Sequence, residues 1–423
     1  MTVPLITAPN DAAEETSNFH KHTNSNPLQR RLIDRFHHVL MGKIGELAPA
    51  SFLDAAYRTP MPRMAKPDLL AVGMPLASLL LKLRRLGRRD MFAVMRSLSM
   101  TAREFTEGWF ESEPLRAAIG ALAIHGVTLG AMSAGTGYTL IHNWLNRGGL
   151  AHRGGSGNPQ RIADALVALL QASGGQVRTS AAVTQILVDR QQVQGVRLEN
   201  GEEIAAPIVL SAADPRHTPL GLVGAPELPP EFVWRAQSIR MRGSVAKVHL
   251  LTDGNHGLPA GTLVVAPSLE HLERAYDAAK YGEISREPYL EATTSGQVVS
   301  IHFQFAPHGL RQSDWQSARA IVEQLAIDTL AAHSPGFRSS VREIRSITPP
   351  DVERDWGLTE GDLNHGQLLL DQMLFMRPIP GWADHRTPVD GLYLCGSGVH
   401  GGGGISGASG RNAARAVLKA AGR

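Results

Sequence analysis

The chain has 423 residues, 43% of them apolar and 19% charged, a globular composition long enough for roughly two or three domain-sized units. Its 42 basic and 39 acidic side chains leave a net charge of +3, too close to balance to argue for a nucleic-acid binder. The single cysteine, Cys395, excludes an internal disulfide framework, a cysteine-based zinc site and a CxxC redox pair.

Residues Met1 to Asn10 have neither the basic start nor the apolar core of a secretory signal, and Asp11, Glu14 and Glu15 speak against a transit peptide. The sequence therefore reads as cytoplasmic. Leu28, Leu32, Ile33, Phe36, Val39 and Leu40 recur at spacings of three and four and predict a helix beginning at Pro27. Leu69–Leu81 is the longest apolar run, but it contains Pro75 and is too short to span a bilayer. Lys82, Arg84, Arg85, Arg88 and Arg89 follow it. The segment Leu69–Arg89 is thus either a domain helix whose C-terminal cations suit its dipole, or a helix lying in a membrane surface. Met91–Met100 and Pro114–Ile124 also read as helices, the second with Ser112 or Glu113 near its cap and Pro114 in its first turn.

The character changes at Gly148. A glycine-rich loop runs to Asn158 and Pro159, a good N-cap and first helical residue. The predicted helix Gln160–Ala172 aligns Ile162, Leu166, Leu169 and Leu170 and stops at Gly174-Gly175. Strand-like runs follow at Gln176–Thr179, Val183–Asp189, Val193–Glu199, Glu202–Ala205 and Ile208–Leu210, with a hairpin signal at Asn200-Gly201. Further strands are expected at Val245–Leu251, Thr262–Ala266 and Gln297–Phe305, and helices at Leu269–Tyr281 and Trp315–Ala331. Pro349–Pro388 reads as loop-rich. Gly391–Cys395 reads as a short buried strand feeding a glycine tract, Gly396 to Gly410, and a closing helix.

A strand, a glycine loop and a helix start together form a site for an anion or polyphosphate. Glycines admit a ligand close to the backbone, and free N–H groups point at negative charge. Two GxGxxG matches fall here, Gly396–Gly401 and Gly402–Gly407. Neither completes a Rossmann fingerprint, because no Asp or Glu follows Gly407 to hold a ribose. The alternative is tight helix–strand packing without a ligand.

This tract resembles the C-terminal FAD-binding motif of the phytoene-desaturase-like FAD-dependent oxidoreductases. The resemblance is carried also by Trp109-Phe-Glu-Ser-Glu-Pro-Leu115, by Gly135-Thr-Gly-Tyr138 with Leu140 and His142, and by Thr348-Pro-Pro-Asp351 through Leu358 with Asp371-Gln372 and Arg377-Pro378. It implies an α/β fold of the phytoene desaturase/amine oxidase type, an α+β substrate part, and FAD as cofactor. It also implies roles for individual residues. Val183 would bind the adenine through its backbone. Gly396 and Ser397 would face the pyrophosphate and ribitol, and Gly403, Gly404, Ile405 and Gly407 would run along the flavin. His400 would face the flavin edge, or else would only shape the loop. Where the family has Pro after this histidine, the chain has Gly401.

Chains of that family open with a βαβ unit bearing GxGxxG, and no such unit is found here. The resemblance therefore implies an N-terminally truncated domain plan. Residues 1–147 are the helical part of a substrate domain, 148–213 an FAD-domain segment, 214–383 the substrate-domain sheet and helices, and 384–423 the C-terminal FAD-domain segment. Losing several charge-assisted contacts of about 1.5–3 kcal/mol each would weaken FAD by orders of magnitude. A partner chain could supply the missing unit. The function implied is oxidation of a small, apolar organic substrate, and the alternative is a non-catalytic binding or regulatory protein. No HExxH, GxSxG or P-loop motif occurs, no metal site is expected, and Cys395 reads as a buried inert thiol.

Overall fold

The computed structural model describes residues 7–8, 48–61, 77, 80–148, 159–259 and 261–422. The expected helix from Pro27, most of the run Leu69–Leu81 and the loop between Gly148 and Pro159 lie outside the described residues. Named helices are α1 (Ala48–Arg58), α2 (Gly87–Ser99), α3 (Ala102–Glu107), α4 (Glu113–Ile124), α5 (Thr136–Asn143), α6 (Pro159–Ala172), α7 (Pro230–Gln237), α8 (Leu269–Lys280), α9 (Trp315–Ala331), α10 (Pro349–Trp356) and α11 (Ala408–Ala420). Strands are β1 (Thr7–Ala8), β2 (Val183–Asp189), β3 (Gln192–Leu198), β4 (Glu203–Ala205), β5 (Val209–Ser211), β6 (Val245–Thr252), β7 (Gly261–Val265), β8 (Leu290–Ser295), β9 (Val298–Gln304), β10 (Val341–Ile347) and β11 (Leu392–Leu394). The mixture is α/β. The chain divides into two compact units. The first holds the described residues of Met1–Ala56, Leu80–Leu145 and Met241–Leu370, the second those of Tyr57–Leu79, Asn146–Arg240 and Asp371–Arg423.

The first unit is built on a six-stranded antiparallel sheet in the order β1-β7-β8-β9-β6-β10. Strand alternation sends Ala246, Val248 and Leu250 of β6 and Val299, Ile301 and Phe303 of β9 to one face. There they pack with Val322, Ala326 and Leu330 of α9, whose N-terminus is capped by Asp314 accepting from Ser317 N–H. The opposite face carries the alternate residues Lys247, Glu291, His302 and Gln304. Three of this unit's strands, β1, β8 and β10, are not expected from the sequence; in β8 and β10, Glu291 and Arg342–Arg345 interrupt the apolar pattern. The β10 residues lie on the edge of the sheet, where polar side chains meet water and discourage edge pairing.

Within the loop-rich stretch Pro349–Pro388, Pro349–Trp356 is a helix that the sequence reading did not single out. Thr348 accepts from Asp351 N–H while the Asp351 carboxylate accepts from Thr348 N–H, and the two prolines occupy the first helical positions, where no N–H is needed. Burial alone would raise the Asp351 carboxyl. The Thr348 hydrogen bonds and the Arg319 and Arg354 guanidiniums outweigh it and hold the group well below the usual carboxylate range.

In the second unit, β2, β3 and β4 form an antiparallel meander. Its second hairpin turns at Asn200-Gly201, with Asn200 Oδ1 accepting from Glu202 N–H. Gln176–Thr179, expected as a strand, is irregular, and Arg178 instead pairs with Glu202 at 2.8 Å. Among the described residues, a second sheet consists of β5 and β11, paired in parallel with Leu392 opposite Val209 and Leu394 opposite Ser211.

Candidate functional site

The short strand β11 is buried along its length and delivers the chain into the glycine tract. Cys395 N–H donates to Ser211 O at 2.9 Å, which fixes the point where the tract leaves the sheet. Burial pushes the Cys395 thiol up, so it stays protonated and inert. Gly396 lies against the backbone of Ala212, and Gly402 folds back onto the Ser397 carbonyl. A Cβ at either place would overlap a carbonyl group. Part of the glycine content is therefore demanded by the packing of the chain on itself.

The loop is held open by a few polar bonds. Ser397 Oγ accepts from Gly403 N–H at 3.0 Å. The buried Arg377 donates to Ser397 O at 3.1 Å. Gln372 takes both sides of the Arg240 backbone, accepting from its N–H at 2.7 Å and donating to its carbonyl at 3.1 Å. Of the residues that carried the resemblance in the sequence, Arg377 thus holds the tract at Ser397, while Asp371 and Gln372 hold Arg240.

What remains is a row of donors. Among the described residues, the N–H groups of Gly396, Ser397, Gly398, Gly404, Ile405 and Gly407 make no hydrogen bond. Gly407, with a left-handed φ of +66°, opens α11, a helix of 13 residues. Ala408 N–H is taken by Ser406 Oγ, and the next amides of the first turn have no intrahelical acceptor. Ile405 is 57% exposed. The set contains only donors and the positive end of a helix, a match for an anionic ligand with carbonyl and phosphoryl oxygens.

Residues 49–418 match the family model of flavin containing amine oxidoreductases. The chain belongs to that family. The phytoene-desaturase-like resemblance is borne out, and FAD is the cofactor such a chain takes. The chain is 34% identical over 347 residues to pyridine nucleotide-disulfide oxidoreductase domain-containing protein 2 of Rattus norvegicus, covering 74% of this chain and 59% of that protein. It is 25% identical to the lycopene-forming phytoene desaturase of Paracoccus sp., covering 66% of this chain and 57% of the relative. Both figures put it at less than two thirds of the length of the curated relatives it matches. A solved oxidoreductase from Methanosarcina mazei is similar over 82% of this chain and 72% of its own, at 17% identity and a TM-score of 0.49.

The residues singled out for FAD fall in one unit. Gly396, Ser397, Gly403, Gly404, Ile405 and Gly407 form the tract described above, and Val183 opens β2, 39% exposed. His400 is fully buried, and its Nε2 lies 3.0 Å from Thr59 O. The tract's donors fit FAD. Among the described residues no cluster of His, Cys, Asp or Glu has the makings of a metal site, and no helix is long and apolar enough to cross a membrane.

Motif reading from the sequence misses a second polar cluster, in the first unit. The register places Glu291, His302 and Lys247 directly across three adjacent strands. Lys247 Nζ donates to His302 Nδ1 at 2.9 Å, and His302 Nε2 lies 2.7 Å from Gln304 Oε1. Lysine can only donate, so the imidazole is neutral with its proton on Nε2. Burial, then the neighbouring His125 and Lys247, hold the His302 imidazole well below its usual value. His125 stacks on His302 at 4.0 Å and bonds Glu291 at 2.9 Å, while Tyr289 donates to the same carboxylate. The readable signal is the alternation Ser300-x-His302-x-Gln304, which puts polar groups on one strand face.

Proposed function

We propose that this chain carries the flavin-ring and substrate portions of an FAD-dependent oxidoreductase that oxidises an apolar organic substrate. The observation that supports it most is the row of open donors on the tract from Gly396 to Gly407, in a chain of a flavin-dependent family. Gly396 and Ser397 would receive the pyrophosphate and ribitol, Gly403, Gly404, Ile405 and Gly407 the flavin, and the Val183 backbone the adenine. When bound, FAD supplies a two-electron acceptor for a hydride from a substrate carbon. The second hydrogen leaves as a proton. An apolar substrate is in keeping with a relative named for phytoene desaturation.

The grip on the adenosine end would come from a βαβ unit supplied by further polypeptide. Two observations favour this. Among the described residues β5–β11 is a two-stranded parallel pair, which is unusual, since parallel strands are normally buried on both faces by neighbours, and Leu210 is 43% exposed. The side chains of α6 from Gln160 to Ala172 are all exposed, with Leu166 at 61% and Leu169 at 65%, although so short a helix is marginal in water without a partner.

The test is anaerobic mixing of the FAD-loaded protein with phytoene, followed by visible absorption. Bleaching of the oxidised flavin is the expected result. A loaded protein whose flavin is not reduced by phytoene or other apolar substrates would leave the non-catalytic alternative.

A further inference from the structure

We infer that the exposed face formed by residues 80–96 is a docking surface for an anionic lipid bilayer. Helix α2 is anchored on its inner side, where Val94 is buried and Gly137 of α5 lies against the Ser97 carbonyl. Its outer side carries Phe92 and Met95, 55% and 58% exposed, on the same stripe as Arg88. The helical residues just before α2 add Leu80 at 61% and Leu81 at 51% exposure. The two helical stretches on either side of the turn at Leu86 therefore present four large apolar side chains to solvent.

The same stretch holds Lys82, Arg84, Arg85, Arg88, Arg89 and Arg96 against one acid, Asp90. Arg84, Arg85, Arg88 and Arg89 make no ion pair among the described residues, and the Arg88 guanidinium lies 6.0 Å from the centre of the Phe92 ring. Exposed cations interleaved with exposed apolar side chains along one stretch suit a partner that offers negative charge and an apolar phase together. A nucleic acid offers the first without the second. The headgroup and acyl boundary of an anionic membrane offers both, with the leucines, Phe92 and Met95 inserted and the arginines at the phosphates. The inference stands apart from the flavin chemistry.

The test is flotation of the full chain with vesicles of phosphatidylcholine alone and of phosphatidylcholine mixed with phosphatidylglycerol. The chain should float only with the second. Each arginine near an anionic surface changes partition by about fivefold, so Arg84→Gln, Arg85→Gln, Arg88→Gln and Arg89→Gln together should lower it by on the order of hundreds-fold. Phe92→Ser with Met95→Ser should lower it by about tenfold or more. No flotation of the unmodified chain with the mixed vesicles overturns the inference, as does indifference to the arginine changes. Loss with the arginine changes but not with the Phe92 and Met95 changes would assign the face to a purely ionic partner, and also overturns it. Should a variant fail to fold, salt added to the unmodified chain replaces it: binding must weaken as ionic strength rises, and flotation indifferent to salt overturns the inference.

Discussion

Gly396→Ala is a sharp perturbation of the tract. The new Cβ would stand well inside van der Waals range of the Ala212 carbonyl oxygen, 2.9 Å from its carbon and 3.2 Å from its Cα. None of these is a flexible side chain, so backbone must retreat by more than about half an ångström. The neighbouring Ser211 O accepts from Cys395 N–H at 2.9 Å, and such a retreat takes that bond to the end of hydrogen-bonding range. Overpacking of this kind costs about 1–3 kcal/mol and the weakened bond about 1 kcal/mol, so the unit loses about 2–4 kcal/mol. Gly407→Ala is the matched control. Nothing lies within 4 Å of its Cβ, and only the left-handed φ is at stake, a penalty of about 1 kcal/mol. Urea unfolding followed by circular dichroism compares the two. If Gly396→Ala unfolds at the same urea concentration as the parent, or no earlier than Gly407→Ala, the close strand–tract packing is not what demands the glycine.

Three further outcomes are expected. Thr348→Ala removes one half of the α10 capping box and should destabilise the first unit by about 1–2 kcal/mol in the same unfolding assay. Burial holds His302 neutral in the fold, whereas the unfolded chain protonates near pH 6.5. The unfolded state then binds more protons, so stability is complete above about pH 6.5 and falls as the pH drops, by at most about 1.4 kcal/mol per pH unit for each such group. His302→Gln should flatten that slope, and an unchanged slope would show that His249, His271 and His385, also held down chiefly by burial, carry it instead. Arg377→Met should loosen the tract through Ser397 and weaken FAD binding by about tenfold or more, read by dialysis against the free cofactor.

Much of the fold is legible where local signals are strong. Asp314 before a long apolar-periodic run yields α9 with its ends as expected, and Asn200-Gly201 yields the β3–β4 hairpin. Prolines mislead where they open a helix, since Thr348-Pro-Pro-Asp351 is a start signal that resembles a loop. Strands β8 and β10 are hidden because their polar residues answer to the cross-strand network or the sheet edge, and neither is visible one strand at a time. The stretches that identify the family work mostly in packing. Thr136 Oγ1 accepts from Ala102 N–H at 2.7 Å, and Glu113 accepts from Leu269 N–H at 2.9 Å. That is why they locate the family and say little of the substrate. The glycine tract is legible as a donor-rich loop, but the share of its glycines needed for self-packing emerges only from the distances.

Amide hydrogen exchange of the full chain, with and without saturating FAD, addresses the tract most directly. Protection of the peptide backbone from Gly396 to Gly410 on adding FAD, with the first-unit sheet unchanged, is the predicted result. Cofactor bound at saturation while exchange along that segment stays as it was would contradict the assignment of its open amides to the flavin.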